Sequence, residues 1–323
     1  MLQFFVSRSL QSILIVVLVA TLSFVLIHSA PGDPFAGALD NPGISSAIRA
    51  NLRAQYGLNR PLPEQYARYV GQLARGEMGW SFSRGRPVRA VLAEVLPRTL
   101  LLMGTALFAS FLIGVAVATI QVSRHGTRLD RFLDRASLLL ASIPDFWLAI
   151  LLLLAFTYWI PLFPIGGAVD PVMHDSFALA GRILDSLRHL VLPATTLTLL
   201  YASGIARFQR AALLDVMPSD FIRTARGKGL RERDILLRHA MRNALLTLIT
   251  LIGLSFPALL TGAVFIEKVF AWPGMGLTMV DAIGSRDYPL VVGSVIVGSV
   301  LVVAGSLIAD LLYGWADPRL RSR

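Results

Sequence analysis

Six apolar runs, each about as long as a bilayer demands, constrain this chain more than any other feature. They are Leu10 to His28, Thr99 to Val122, Ser137 to Ile160, Leu190 to Ala206, Ala244 to Phe265 and Leu290 to Leu312. A spanning helix needs roughly 20 mostly apolar residues, and in lipid only helices and closed barrels satisfy every backbone group internally. Six such runs predict an all-α polytopic membrane protein with six transmembrane helices. Composition agrees, since 55% of the 323 residues are hydrophobic and only 15% are charged, against about a quarter charged in soluble domains. No internal repeat or low-complexity segment appears, so a single membrane domain is expected. The first run exceeds the apolar core of a cleaved leader, about 7 to 15 residues. An uncleaved helix over residues 1–30 is therefore expected despite the Ser29-Ala30 end.

Orientation follows from Lys and Arg in the short loops. With the N-terminus inside, seventeen of these residues fall inside and four (Arg182, Arg188, Lys268, Arg286) in the short outer loops. The positive-inside rule then places both termini, the segment 207–243 and the tail 317–323 in the cytoplasm. Eight arginines from Arg49 to Arg89 lie in the remaining outer loop, which at more than about 60 residues escapes the rule. That loop, 31–97, predicts a small helical extracytoplasmic insertion between helices 1 and 2. Ile44, Ile48 and Leu52 recur at helical spacing, as do Tyr66, Val70 and Leu73, and Val88, Val91, Leu92 and Val95. Pro31, Pro34, Pro42, Pro61, Pro63 and the Gly76 to Gly85 region punctuate it.

Several chemistries are excluded by what the sequence lacks. The net charge of +10 sits in short loops between apolar runs, where membrane orientation accounts for it without nucleic acid. There are no cysteines, hence no disulfide, thiol catalysis or thiolate metal site. The five histidines (His28, His125, His174, His189, His239) include no pair at helical ligand spacing, so no metal site is implied, and most read as ordinary loop or interfacial residues. No GxxxxGK[ST] phosphate loop occurs, so an ATP-driven version of this protein must borrow its ATPase.

One charged stretch interrupts the apolar C-terminal half. MPSDFIRTARGKGLRERDILLRHAMRNALL, Met217 to Leu246, carries Arg223, Arg226, Lys228, Arg231, Arg233, Arg238 and Arg242, too many charges for hydrocarbon. Pro218 and Asp220 mark a helix start, and Gly227 and Gly229 a stop. The composition fits a topology signal and a functional loop equally well. Within the third run, Asp145 follows Pro144 at membrane depth, which implies a protein-facing carboxylate. It reads as a local cap where Pro144 breaks the helix, with a translocation-pathway contact as the alternative.

Four stretches together resemble the membrane permease subunits of dipeptide and oligopeptide ABC importers. They are FVLIHSAPGDPF at the end of helix 1; YGLNRPLPEQYARYVGQLARGEMGWSFSRGRPV in the outer loop; DFIRTARGKGLRERDILLRHAMRNALL; and GAVFIEKVFAWPGMGLTMVDAIGSRDYPLV with the terminal DLLYGWADPRLR. The third is similar to the EAA loop of such permeases, with Arg223, Thr224 and Ala225 at the three EAA positions and Gly229 at the loop glycine. Two positions depart from the family pattern: Thr247 stands where proline is usual, and Gly227 where alanine is commoner.

The resemblance implies the type I importer fold, with a permease core over 98–316. It further implies that Asp220, Phe221, Ile222, Arg223, Thr224, Ala225, Arg226, Lys228 and Gly229 couple the chain to a separate ATPase. Phe221, Ile222 and Ala225 would fill a groove while arginines pair with acids on its rim. Gly229 would allow the tight turn that follows. Trp272, Pro273, Gly274 and Gly276 interrupt a re-entrant or gating segment, Glu267 to Tyr288, which with the insertion would face a binding protein.

The implied partners are a homologous second permease chain, two ATPase subunits, an extracytoplasmic substrate-binding protein and the lipid bilayer, in a prokaryotic inner membrane. No catalytic residue and no cofactor is expected in this chain, because ATP and Mg would be bound by the ATPases. Peptide is the implied cargo; nickel chelates, glutathione and other small solutes are imported by the same architecture. A stand-alone secondary transporter or channel would show buried charge pairs or inverted repeats. An intramembrane enzyme would need paired acids or a Ser/His/Lys set at depth. Only Asp145 approaches the first pattern, and no residue set for the second appears in the sequence.

Overall fold

The computed structural model describes residues 2–29, 60–244, 248, 251 and 264–316. The helices are α1 (Leu2–Ser29), α2 (Leu62–Ala74), α3 (Val88–Ser123), α4 (Arg128–Ser142), α5 (Asp145–Leu153), α6 (Leu179–Val216), α7 (Asp220–Gly227), α8 (Glu232–Asp234), α9 (Val264–Val269), α10 (Met275–Gly284) and α11 (Tyr288–Ala316). Two π-helical turns, Leu154–Trp159 and Ile235–Ala240, extend α5 and α8. An antiparallel ladder of two short strands, β1 (Trp80–Ser81) and β2 (Arg86–Pro87), departs from the all-α expectation. The turn over 82–85 closes this hairpin, with Gly85 at φ 62 and its N–H donating to Ser81 O at 2.9 Å.

Among the described residues four helices are long and apolar enough to span a membrane: Ser7–Ser29, Val88–Ser123, Leu179–Val216 and Tyr288–Ile308. The third run is corrected. It is not one helix over Ser137 to Ile160 but a pair, Arg128–Ser142 and Asp145–Trp159, bent by 102°. Pro144 causes this, since it lacks an N–H and pushes the preceding residue out of the helical region; Ile143 is accordingly extended, with φ −79 and ψ 130. Most of the expected fifth run, with Thr247, lies outside the described residues, as do Ile44, Ile48 and Leu52. The periodic Tyr66, Val70 and Leu73 lie on α2, whereas Val88 to Val95 form the first turns of α3 rather than a separate helix.

The chain clusters into two compact units. One comprises the described residues up to Pro97 together with Gly274–Val303; the other runs from Arg98 to Pro273 and resumes at Ala304. The division drawn from the sequence kept 274–303 with the core.

In the first unit, Val88, Val91, Leu92 and Val95 pack against Met275, Ala282 and Leu290. α2 is held to α1 by polar and aromatic contacts: Thr21 Oγ1 lies 2.7 Å from the Tyr66 hydroxyl, His28 Nε2 lies 3.1 Å from Gln65 Oε1, and Phe24 meets Tyr66 edge-on. The Tyr69 hydroxyl is buried there without a hydrogen-bond partner. Burial first, then the charge of Tyr66, push the Tyr69 phenol up to about 12. The folded value thus lies above the ordinary value of about 10. Its contribution to stability is complete below that ordinary value and is lost as pH rises from about 10 towards 12. An ultraviolet titration should show one tyrosinate step near the upper limit that vanishes in Tyr69→Phe; an unchanged step would refute the assignment.

In the second unit, one apolar cluster joins Leu102, Met103 and Ala106 of α3 with Ala149, Leu190, Leu197, Ile266, Phe270 and Trp272. Another, built around α7, occupies the opposite part of α3 and α6 in sequence.

Candidate functional site

The helix α7 begins where Pro218 and Asp220 indicate and ends at Gly227. Its cap places Gly229 at φ +77, with Gly229 N–H donating to Arg226 O at 2.9 Å and Leu230 N–H to Ala225 O at 3.4 Å. This is a Schellman closure, and its left-handed position is where a side chain is costly. Beyond the turn, Arg226 reaches Glu232 in a two-point pair, Nε to Oε1 at 2.7 Å and Nη2 to Oε2 at 3.2 Å. That hydrogen bond holds the Glu232 carboxyl below its usual range. The bracket is therefore present at neutral pH and is lost only as pH falls through that lowered value.

Eight residues are too few to hold a helix alone in water. Tertiary packing holds this one. Ile222 is fully buried and Ala225 nearly so, in a cluster with Ala118 and Val122 of α3, Leu213 of α6, and Ile235, Leu236 and Ala240. Burying Ile222 contributes about 2 to 3 kcal/mol. This corrects one expectation: Ile222 and Ala225 are not available to fill a partner's groove, because they fill a groove in their own chain. The exposed face consists of Asp220, Phe221, Arg223, Thr224, Arg226, Lys228 and Gly229. Phe221 on this face, and Leu230 and Leu237 in the segment after it, are exposed apolar residues, between 41% and 44% accessible, among exposed Arg223, Lys228, Arg231, Arg233 and Arg238.

The segment after α9 closes with a second such turn, but on alanine. Ala271 lies at φ 46, and Trp272 N–H donates to Glu267 O at 2.7 Å. Trp272 is 1% exposed, its indole N–H donating to Arg98 O at 3.1 Å. Beside it, Gly167 N–H donates to Phe270 O at 2.9 Å. Glu267 is fully buried and accepts from the Thr99 hydroxyl at 3.1 Å. Pro273 ends this unit, while buried Gly274 and Gly276 open α10 in the other.

Asp145 is the first residue of α5, partly buried, and accepts from Phe146 N–H at 3.0 Å. The N-cap position itself is Pro144, without a side-chain cap bond, and Asp145 is an acid in the first turn, where the helix dipole favours negative charge.

Sequence reading missed four constellations. Asp287 caps α11 and is 1% exposed; its Oδ2 accepts from Ser81 Oγ, Ser83 N and Ser83 Oγ at 2.6, 3.0 and 2.7 Å. The Asp-Tyr-Pro opening was a legible N-cap signal, but its partners lie some 200 residues away. Asp130 pairs with Arg210 at 3.2 Å through two nitrogens. Gly166 abuts the Phe270 carbonyl. His174 Nδ1 and His189 Nδ1 lie 2.7 and 3.3 Å from the Asp185 carboxylate. Among the described residues, no group of three or more such side chains is arranged to hold a metal ion.

A mostly helical chain with several apolar spans and a packed, basic loop helix is a polytopic membrane protein. Residues 110–322 match the family described as binding-protein-dependent transport system inner membrane component, and residues 1–103 match its N-terminal companion. The chain belongs to that family, and is a multi-pass inner-membrane protein. It is 37% identical over 318 residues to the oligopeptide transport system permease protein AppB of Bacillus subtilis, covering 98% of each chain. It is 33% identical over 338 residues to the dipeptide transport system permease protein DppB of Escherichia coli, covering all of both. Among solved structures, the inward-facing MetNI methionine ABC transporter aligns with TM-score 0.53 at 19% identity, covering 70% of this chain and 96% of that one. That likeness speaks to the fold.

Proposed function

We propose that this chain is the membrane permease of an ATP-driven importer of di- or oligopeptides. What carries the reading is end-to-end similarity to permeases named for those cargoes. The chain works beside a second permease chain, with two ATPase subunits at the cytoplasmic side and a substrate-binding protein outside, both termini being cytoplasmic. The three EAA positions are Arg223, Thr224 and Ala225, and the loop Asp220 to Gly229 receives force from the ATPase. Ala225 anchors that loop inward, while Phe221, Arg223, Thr224, Arg226 and Lys228 meet the partner. A helix locked to α3 and α6 passes a displacement on to them, as coupling between two states through a rigid element requires. Trp272, Pro273, Gly274 and Gly276 belong to a gate near the binding protein, and Asp145 stabilises the first turn of α5 at the α4–α5 break.

The test is reconstitution. Peptide uptake should need the ATPase subunits and the binding protein, and uptake by this chain alone would sink the proposal. Gly229→Asp should leave the chain inserted yet abolish uptake and weaken ATPase retention, because the turn needs positive φ and the exposed face is basic. Wild-type retention and uptake in that variant would remove the loop from the coupling role.

A further inference from the structure

α4 carries two sets of exposed side chains that its own packing does not use. Arg128, Arg131 and Arg135 recur at i, i+3 and i+7, which places them along one stripe. All three are exposed, and among the described residues none forms an ion pair. Of the nearby acids, Asp130 is buried and committed to Arg210, with His125 Nδ1 3.3 Å away; Asp134 is exposed at the edge of the stripe. Phe132 and Leu139, 66% and 67% exposed, lie beside the arginines, and Leu138 is 51% exposed. A helix with bare arginines next to bare aromatic and aliphatic side chains is amphipathic in the sense that suits a membrane surface.

The depth of this stripe is set by the Asp130–Arg210 pair. Arg210 lies in the polar end of α6, with Arg207 and Asp215, six residues before the helix ends at Val216. The start of α4 is therefore level with the charged end of a spanning helix. Its far end turns at Ile143–Pro144 into apolar α5. Long arginine side chains at this level extend to lipid phosphates while their stems cover apolar surface.

We propose that the outer face of α4, through Arg128, Arg131 and Arg135, binds anionic phospholipid headgroups, with Phe132, Leu138 and Leu139 set among the acyl chains. The proposal rests on membership of the inner-membrane family and not on the cargo. Each arginine near an anionic surface contributes about fivefold to association.

The assembled complex with its ATPase subunits is exchanged into mixed phosphatidylcholine and phosphatidylglycerol vesicles and re-extracted, and retained phospholipid is counted by native mass spectrometry. Arg128→Gln/Arg131→Gln/Arg135→Gln should retain several-fold less phosphatidylglycerol, with phosphatidylcholine and ATPase subunits unchanged. The triple lysine variant, which keeps the charge, should retain wild-type amounts, as should Arg68→Gln/Arg75→Gln on α2. Equal phosphatidylglycerol retention by the triple glutamine variant would overturn the proposal. Loss of ATPase subunits with lipid unchanged would also overturn it, in favour of a protein docking face. So would loss of phosphatidylglycerol in the lysine variant, since charge would then not be the cause.

Discussion

Asp287→Ala should lower stability by about 3 to 5 kcal/mol and release the β1–β2 hairpin from the start of α11. One carboxylate does two jobs: Oδ1 accepts from Leu290 N–H at 3.3 Å as a helix cap, and Oδ2 gathers three donors from Ser81 and Ser83. Losing a cap costs about 1 kcal/mol. Leaving buried donors without an acceptor costs about 1 to 3 kcal/mol each, and Ser81 is fully buried. Asp287→Asn keeps one acceptor oxygen but turns a donor towards the serines, so it should fall between alanine and wild type. The exposed Arg84–Asp281 pair, at 3.2 Å, is worth little and does not compensate. Thermal unfolding with hydrogen exchange at residues 79–88 measures both effects. Unaltered protection of the hairpin in the alanine variant would show that the clamp does not hold it.

Gly166→Ala should be nearly as damaging, although it adds one carbon. A Cβ at Gly166 would lie 2.5 Å from the Phe270 carbonyl oxygen and 3.0 Å from its carbon. Both are backbone atoms, so the segments must part instead of a side chain swinging away. Parting breaks the Gly167 N–H bond to the same carbonyl and loosens the turn that carries buried Trp272. Overpacking of this kind costs about 1 to 3 kcal/mol, and the broken hydrogen bond adds about 1. The expected result is a lower melting temperature together with slower uptake at an unchanged level of inserted protein. Wild-type melting would mean that the loop and the Phe270–Trp272 turn need not touch.

Local rules read the α7 region well and the spans less so. Pro218, Asp220, Gly227 and Gly229 announced a start and a stop within a few residues, because capping depends on neighbours in sequence. Those rules did not say which face of α7 turns inward. Phe221, Ile222 and Ala225 are all apolar or small, and only the groove made by Ala118, Val122 and Leu213 separates the buried pair from the exposed aromatic. Pro144 was legible as a break, yet the 102° bend was not, since the direction after a break is set by what α5 packs against.

The sequence by itself determined the membrane class, the basic loop, the helix limits around it and the family. Tertiary structure decided which apolar faces are core and which stay exposed on this chain, and which distant polar groups meet. In a soluble helix a polar face betrays the buried one, but in lipid both faces are apolar. Thus the windows in Ser7–Ser29 and Leu179–Val216 are both apolar, yet 6% of the first and 61% of the second is buried. Ser81 with Asp287, and Asp130 with Arg210, carry no mark of each other along the chain; each pair exists only because packing brings a donor to an acceptor that would otherwise be buried unmatched.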